Sequence, residues 1–445
     1  MLHHFLTEKL QGSGLVDLSP LTPTFGTAGL PSVWIDKNKV FQTLEGFGGA
    51  FTEAAAVTWQ KLSPARQQEV LRDYFDPQQG HGYTLCRVHM NSCDFALGNY
   101  AHLDTPGDVD LATFSIDRDR QSLLPFIKAA LQAANQPVKF LASPWSPPAW
   151  MKSNGQMNQG GHLLPEFRQA WARCYVRFIQ EYAAEGVPIW AVSVQNEPAA
   201  RQTWDSCIYS AEEERDFVRD FLGPELAQAG LGHIKIVIWD HNRDHLAERA
   251  SVVYSDPQAA KYVWGAGFHW YGEPHFEQVQ LTHDAWPDKQ LLFTEGCQEG
   301  GSHAGSWDLG ERYAHNIIND LNRWTVGWID WNLVLDETGG PNHVGNLCSA
   351  PLLIDTARDL LLHQSSYYYL GHFSRFIKPG AKRVLCAASR QDLESTAFVN
   401  PDGSVAVVVM NRTEAAICFA LRMDGAEVTT VLPPHSISTL AVHAA

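Results

Sequence analysis

Residues 189–198 read Ile-Trp-Ala-Val-Ser-Val-Gln-Asn-Glu-Pro, a six-residue run of mainly apolar side chains that breaks into two amides, a carboxylate and a proline. Apolar residues occupy both alternating sets of positions in Ile189–Val194. That pattern predicts a strand buried on both faces, as in a parallel sheet, rather than the one-sided alternation of an antiparallel sheet. Seven other stretches repeat it: Thr43–Ala50, Thr84–Met90 and Val138–Ser143 before it, and Ile234–Trp239, Gly265–Trp270, Leu291–Thr294 and Gly327–Trp331 after it.

Helix signals fill the gaps. Ser63-Pro64 offers an N-cap followed by a proline at the first helical position. Phe167, Trp171, Tyr175, Phe178 and Tyr182 fall at spacings of four and three within Glu166–Ala184. Ser210-Ala-Glu-Glu213 is a capping-box pattern, and Tyr313, Ile317, Leu321 and Trp324 form one stripe in Glu311–Trp324. Eight strand–helix units across residues 43–372 predict a (β/α)8 TIM barrel. A dinucleotide-binding open sheet would need GxGxxG after its first strand, and Gly46-Phe-Gly-Gly49 does not supply it. From residue 373 to 445 the pattern becomes short strands (Arg383–Ala388, Ser395–Asn400, Val405–Asn411, Ile417–Arg422), with Asn400-Pro-Asp-Gly403 as a hairpin turn. This predicts a small C-terminal β-domain, joined by the strand-like Ser32–Ile35 of segment 1–42.

Composition narrows the partners. Across 445 residues, 33 Lys+Arg against 49 Asp+Glu give a formal net charge of -16, which repels phosphate backbones and excludes nucleic acid as a general partner. A neutral sugar is not excluded, and 15 Trp, 13 Tyr and 21 Phe offer flat faces for stacking. The eight cysteines include no CxxC pair, so they read as buried free thiols rather than zinc ligands. No stretch approaches the ~18 apolar residues of a membrane span. The opening residues carry Glu8 and Lys9 where an export signal needs an apolar core, which predicts a cytoplasmic chain.

Reactive groups in such a barrel gather at the C-terminal ends of the strands. Those ends offer Thr52 and Glu53, Arg87 and Asp94, Trp145, Asn196 and Glu197, Asp240 to Asn242, His269 to Tyr271, Glu295, and Asp330 to Asn332. Carboxylates, amides and aromatics with a single arginine suit a neutral polyhydroxylated ligand. Glu197 and Glu295 stand out, one after an asparagine and before a proline, the other before Gly296. Glycoside hydrolysis needs two such groups, one protonated to assist the leaving oxygen and one ionised.

The glutamates at the ends of strands four and seven resemble those of the large superfamily of barrel glycosidases. Longer segments resemble glycoside hydrolase family 30, and its glucosylceramidases in particular: Gly46–Ala56, Arg87–Phe95, Leu141–Pro147, Val194–Pro198, His269–Tyr271, Gly327–Leu333, Gly339–Asn346 and Tyr369–Pro379. The resemblance implies a retaining exo-acting β-glycosidase, of the β-glucosidase or glucosylceramidase type, working without cofactor or metal. It implies Glu197 as acid/base and Glu295 as nucleophile, with carboxyl groups about 5–5.5 Å apart. It assigns Asp94, Trp145, Asn196, Tyr271, Trp331 and Asn346 to substrate binding, and Arg87 and His269 to support. It also implies that the side domain is a β-sandwich built from both chain ends. β-Xylosidase, β-fucosidase and endo-β-1,6-glucanase activities remain alternatives on the same scaffold, and a non-catalytic carbohydrate-binding protein is the reading from another class. The expected partner is a β-linked glucoside or oligosaccharide, with glycolipid as a further option.

The loops Ala199–Tyr209 and Gly296–Trp307 differ from those of lysosomal glucosylceramidase, which leaves the aglycone open. Trp204 reads as an aglycone platform, Cys297 as a structural thiol and His303 as either a substrate contact or a solvated loop residue. Asp240-His-Asn-Arg-Asp-His245 lacks metal-site spacing and reads as polar support behind the site.

Overall fold

The computed structural model describes residues 2–9, 14–22 and 29–442. Eight parallel strands close into a barrel: β1 (Gly46–Phe51), β2 (Leu85–Met90), β3 (Lys139–Pro144), β4 (Ile189–Ser193), β5 (Lys235–Asn242), β6 (Val263–His269), β7 (Gln290–Glu295) and β8 (Thr325–Asn332), with β8 pairing back onto β1. Leu85, Leu141, Ala191, Val237, Leu292 and Ile329, from six different strands, meet in one fully buried cluster. They fix which parity of each strand points inward, and the functional site lies beyond them at the strands' C-terminal ends. A larger apolar layer joins the outward faces of the strands to the surrounding helices.

The helices follow local signals with two differences. Ser210 and Glu213 form a reciprocal capping box on Ala211–Phe217, each side chain accepting the other's backbone N–H. Ser63 precedes the helix Pro64–Phe75 but makes no side-chain cap; its hydroxyl donates to Asp359 Oδ2 at 2.6 Å instead. Trp324 leaves the expected stripe because the helix Asp308–Leu321 ends before it, and its ring stacks on His283 with centroids 3.8 Å apart.

The second layer is a nine-stranded sheet that draws on both ends of the chain. Leu2–Glu8 pairs antiparallel with Ser436–Val442, and Ser32–Thr43 lies between Lys382–Ala388 and Ile417–Met423. The Asn400–Gly403 turn closes a hairpin between Glu394–Val399 and Val405–Asn411, with Asn400 N–H bonded to the Ser404 carbonyl at 2.8 Å. Val33, Ile35, Val407, Val409, Phe419 and Leu440 fill this domain's own core. The strands Leu2–Glu8, Val16–Asp17, Ala426–Leu432 and Ser436–Val442 have no counterpart in the sequence reading, and neither has a three-stranded sheet of Val334–Asp336, Leu352–Asp355 and Leu360–His363 inserted after β8. No helix among the described residues is long and apolar enough to cross a membrane.

Candidate active site

Arg87 organises the barrel mouth. Leu85 belongs to the inner plug, so Arg87, two residues on, also points inward, and its side chain is wholly buried. Its Nε donates to Ser143 Oγ at 3.0 Å, one Nη donates to Glu295 Oε2, and the other donates to Asn196 Oδ1 and Asp240 Oδ2, each at 2.8 Å. One guanidinium therefore ties together β2, β3, β5, β7 and the tip beyond β4.

Simple alternation would turn Asp240 and Glu295 away from the axis, because Val237 and Leu292 face inward. Both strands break register at the decisive place, between Trp239 and His241 on β5 and between Phe293 and Glu295 on β7. On β5 the break is made by Trp239 and Asp240, both left-handed with φ of 69° and 52°. Each irregularity reverses the parity and brings the carboxylate to the centre. Glu197 is also left-handed, with φ 49°, a conformation that costs a non-glycine residue roughly 1 kcal/mol or more. Its N–H donates to the Asp240 carbonyl at 3.0 Å, which holds it there. Gly296 serves packing rather than a turn or a ligand: a Cβ on it would lie 2.7 Å from Phe293 and 2.8 Å from Trp270.

The mouth is a pocket of about 210 Å³. At its inner end are buried Asp94, Trp145, Asn196, Glu295 and Trp331, and at its outer end half-exposed Gln202, Trp204, His241, Asn242 and Glu299. Trp145 and Trp331 stack with centroids 5.2 Å apart. Asp94 Oδ2 accepts from Asn342 Nδ2 at 3.1 Å and Asn346 Nδ2 at 3.0 Å. Burial, together with the nearby Glu295 and Glu197 charges, raises Asp94 to about 8 against those two amides. Tyr271 donates its hydroxyl to Glu295 Oε1 at 2.9 Å. His269 places Nε2 3.1 Å from Asp240 Oδ1 and Nδ1 3.5 Å from Glu197 Oε1.

Oxygens of Glu197 and Glu295 and a ring nitrogen of His269 lie within 4.8 Å of one another. Burial opposes charge on all three. It lowers His269, but Glu295, Asp240 and Glu197 overcome it and raise the imidazole to about 9, so His269 carries a proton at neutral pH. Burial raises Glu197, but the close His269 imidazole and the His241 and Arg87 charges bring it below its ordinary value. At Glu295, burial and the Glu197 charge prevail over His269, Arg87 and Tyr271, and its pKa rises. The carboxyl pair thus resists holding two charges, and a proton stays within reach on the imidazole.

The ten residues to which the resemblance gave catalytic, binding or supporting roles converge here. Trp204 lines the mouth, whereas His303 is exposed, with Nε2 2.7 Å from the Glu299 carbonyl, and does not line the pocket. Asp330 does not reach it either; it faces outward and accepts the Tyr313 hydroxyl at 2.8 Å. Within the 240–245 segment, Asp240 joins the central network and Asn242 Oδ1 accepts the Tyr271 N–H, while Arg243 pairs with Asp320 away from the pocket. The sequence reading missed Asn342, which grips Asp94 from within Gly339–Asn346, and the pocket-lining Gln202, Glu299 and Cys348.

Residues 44–377 match the glycosyl hydrolase family 30 TIM-barrel domain, and residues 380–440 match the family 30 beta sandwich domain. The chain belongs to glycosyl hydrolase family 30. Lysosomal acid glucosylceramidase of Mus musculus is 39% identical over 424 residues, 91% of this chain and 82% of that protein. An endo-1,6-beta-D-glucanase of Neurospora crassa is 28% identical over 426 residues, 91% of this chain and 87% of that one. Among solved structures, SrfJ from Salmonella typhimurium superposes with a TM-score of 0.95 at 39% identity, covering all of both chains. An endo-beta1,6-glucanase superposes at 0.90 with 29% identity, again over all of both chains. This family 30 member is accordingly a glycoside hydrolase, and the barrel mouth is where a glycoside would be cut.

Proposed function

We propose that this hydrolase is a retaining exo-β-glucosidase in which Glu295 is the nucleophile and Glu197 the acid/base. The observation that carries the reading is the approach of one Glu197 oxygen to within 4.8 Å of one Glu295 oxygen. Retaining enzymes keep the two carboxyl groups about 5–5.5 Å apart, whereas inverting ones leave about 6.5–9.5 Å for a water.

Glu295, held by Arg87 and Tyr271, attacks the anomeric carbon as the bond to the aglycone oxygen breaks. Glu197 gives that oxygen a proton, taken from His269 Nδ1 3.5 Å away as the glycoside displaces water. The imidazole is left neutral, with Nε2–H donating to Asp240. Glu197 then removes a proton from water, which attacks the glycosyl ester, frees Glu295 and releases the sugar with its original anomeric configuration. Asn196 gives its carbonyl to Arg87, so its NH₂ remains to donate to a sugar hydroxyl. Asp94, held by its two amides, offers a carboxyl group for hydrogen bonding at the inner end of the pocket, and such a group beside the 4- and 6-hydroxyls favours a hexose with its CH₂OH over a xylose.

Exo action is supported by an inner end filled with buried side chains. The outer end offers one indole and several polar groups, which suits a hydroxylated aglycone. The relationship to lysosomal acid glucosylceramidase supports glucosylceramide as a second reading. The test is hydrolysis of a panel of aryl β-glycosides with the product anomer followed by NMR. β-Glucose released first supports retention and a glucose pocket. α-Glucose first rules out the double displacement, and faster cleavage of xyloside or fucoside rules out glucose. Glucosylceramide and β-1,6-glucan, assayed alongside, settle the aglycone.

A further inference from the structure

Two thiols on the pocket wall take no part in this chemistry. Cys297 follows β7 by two residues, and Cys348 lies in the segment that returns after the Gly339–Asn346 loop. The two segments run antiparallel: Glu299 bridges Cys348, Ser349 N–H donates to the Gln298 carbonyl at 2.8 Å, and Gly300 N–H donates to the Leu347 carbonyl at 3.1 Å. This is the closely spaced, non-hydrogen-bonded kind of pair, and alternation puts Cys297 on the same face as Glu299 and Cys348. All three line the pocket, and Gln298 does not. The Cys297 and Cys348 side chains pack in one buried cluster on this wall, and neither forms a disulfide.

From this geometry we propose that Cys297 and Cys348 form a site for a soft, thiophilic d¹⁰ cation such as Zn²⁺, Cd²⁺ or Cu⁺, and that occupancy shuts the active site. Two thiolates bound to one tetrahedral cation at about 2.3 Å each sit about 3.8 Å apart, a gap that the side chains of diagonal neighbours on adjacent strands can close by rotation. A disulfide would need them at about 2.05 Å, and diagonal neighbours on adjacent strands reach that only by moving backbone. Chelation therefore asks less movement of the wall than a disulfide does. Cys297 is buried with the Glu295 carboxyl close by. A cation would supply the missing positive charge, with each thiol releasing one proton on binding.

Inhibition follows from the neighbours. The Cys297 Sγ lies 3.5 Å from the same Tyr271 hydroxyl that bonds Glu295, and Asn346, which holds Asp94, is two residues from Cys348. A cation between the sulfurs would take Tyr271 from Glu295 and shift the loop behind Asp94. The trio Glu197, His269 and Glu295 is a competing cluster, but the Arg87 guanidinium touches Glu295 and the imidazole carries a proton, so a dication there meets two positive charges.

The test is titration of the reduced, full-length protein with Cd²⁺, reading thiolate-to-cadmium charge-transfer absorption and β-glucosidase turnover together. Absorption is expected to rise to one equivalent as turnover falls. Cys348→Ser and Cys348→Val, each read against its own metal-free turnover, are expected to lose that equivalent of absorption and to need at least tenfold more Cd²⁺ for inhibition. The activity readout rests on the role given to Glu295, whereas the absorption readout does not. Unchanged absorption in both variants overturns the site. Absorption lost in the variants with inhibition by Cd²⁺ unaltered overturns the link between the site and catalysis.

Discussion

Removing one oxygen isolates the part of the site that prepares the nucleophile. Tyr271→Phe deletes the hydroxyl 2.9 Å from Glu295 Oε1 and keeps the ring that packs beside His269, at 6.0 Å between centroids. A hydrogen bond to a charged group contributes about 1.5–3 kcal/mol, which corresponds to a loss of about 10–150-fold in kcat/KM where the bond serves the transition state. The same bond acts before reaction. Burial raises the Glu295 carboxyl, and the Tyr271 hydroxyl is one of the groups opposing it. Without it the pKa rises further, the carboxyl binds its proton at higher pH, and the acidic limb of the kcat/KM profile moves upward. Arg87 is untouched, so Glu295 keeps its ion pair and the protein should stay folded. The other loss is the 3.5 Å contact with Cys297 Sγ, a weak partner. The measurement is kcat/KM on an aryl β-glucoside from about pH 4 to 8, with thermal midpoints recorded in parallel. A plateau within about threefold of the parent together with an unmoved acidic limb would refute the role assigned to Tyr271. An equal loss at every pH accompanied by a fallen midpoint would show that the hydroxyl serves packing alone.

Other variants separate the remaining roles. Glu197→Gln cannot deliver a proton, so kcat/KM should fall about 10²–10⁴-fold on alkyl β-glucosides and much less on aryl glucosides with acidic phenols; equal losses on both would remove Glu197 from the acid role. Asp330 is buried and pushed up to about 8, so the folded chain keeps a proton there that the unfolded chain releases near pH 4. Its contribution to stability is complete below that pH and erodes by up to about 1.4 kcal/mol per pH unit until about pH 8. Asp330→Asn removes the slope, and its thermal midpoint should gain on the parent's steadily from pH 4 to 8; parallel curves would contradict this. Trp204→Ala should raise KM about 2–12-fold for glucosides with aromatic or sugar aglycones and leave methyl β-glucoside unchanged, the loss of one stacking contact of about 0.5–1.5 kcal/mol. If both classes weaken together, Trp204 shapes the whole pocket rather than its mouth.

The barrel was legible because a strand covered on both faces must be apolar at every position, and eight such runs between helical stripes leave few other topologies. The hidden elements are those whose signal is not periodic. The sheet Val334–Asp336, Leu352–Asp355, Leu360–His363 is built from strands of three and four residues, too short for alternation to register. Asn342 sits in a loop where only contact with Asp94 gives it meaning, although its segment had already been singled out by resemblance. Asp330 shows the opposite case. Beside Trp331 at a strand end it reads as part of the ring, yet Ile329 is in the inner plug, so parity alone sends Asp330 outward to Tyr313.

That same parity argument, applied without the structure, would have discarded the central carboxylates. From Leu292, strict alternation turns Glu295 away from the axis, and from Val237 it does the same to Asp240. What reverses them is a register break on each strand, on β5 made by two left-handed residues, and no glycine in Trp239-Asp240 announces it. The cost is recovered locally: Asp240 bonds Arg87 and His269, and Glu295 bonds Arg87 and Tyr271. In a chain with a net charge of -16, one buried guanidinium and one protonated imidazole are the cations that gather three carboxylates at the barrel axis. The irregular strands and the buried arginine are therefore mutually dependent. Without the breaks Arg87 would face an empty axis, and without Arg87 the breaks would place uncompensated charges in the core, a loss of about 3–5 kcal/mol for each broken buried pair.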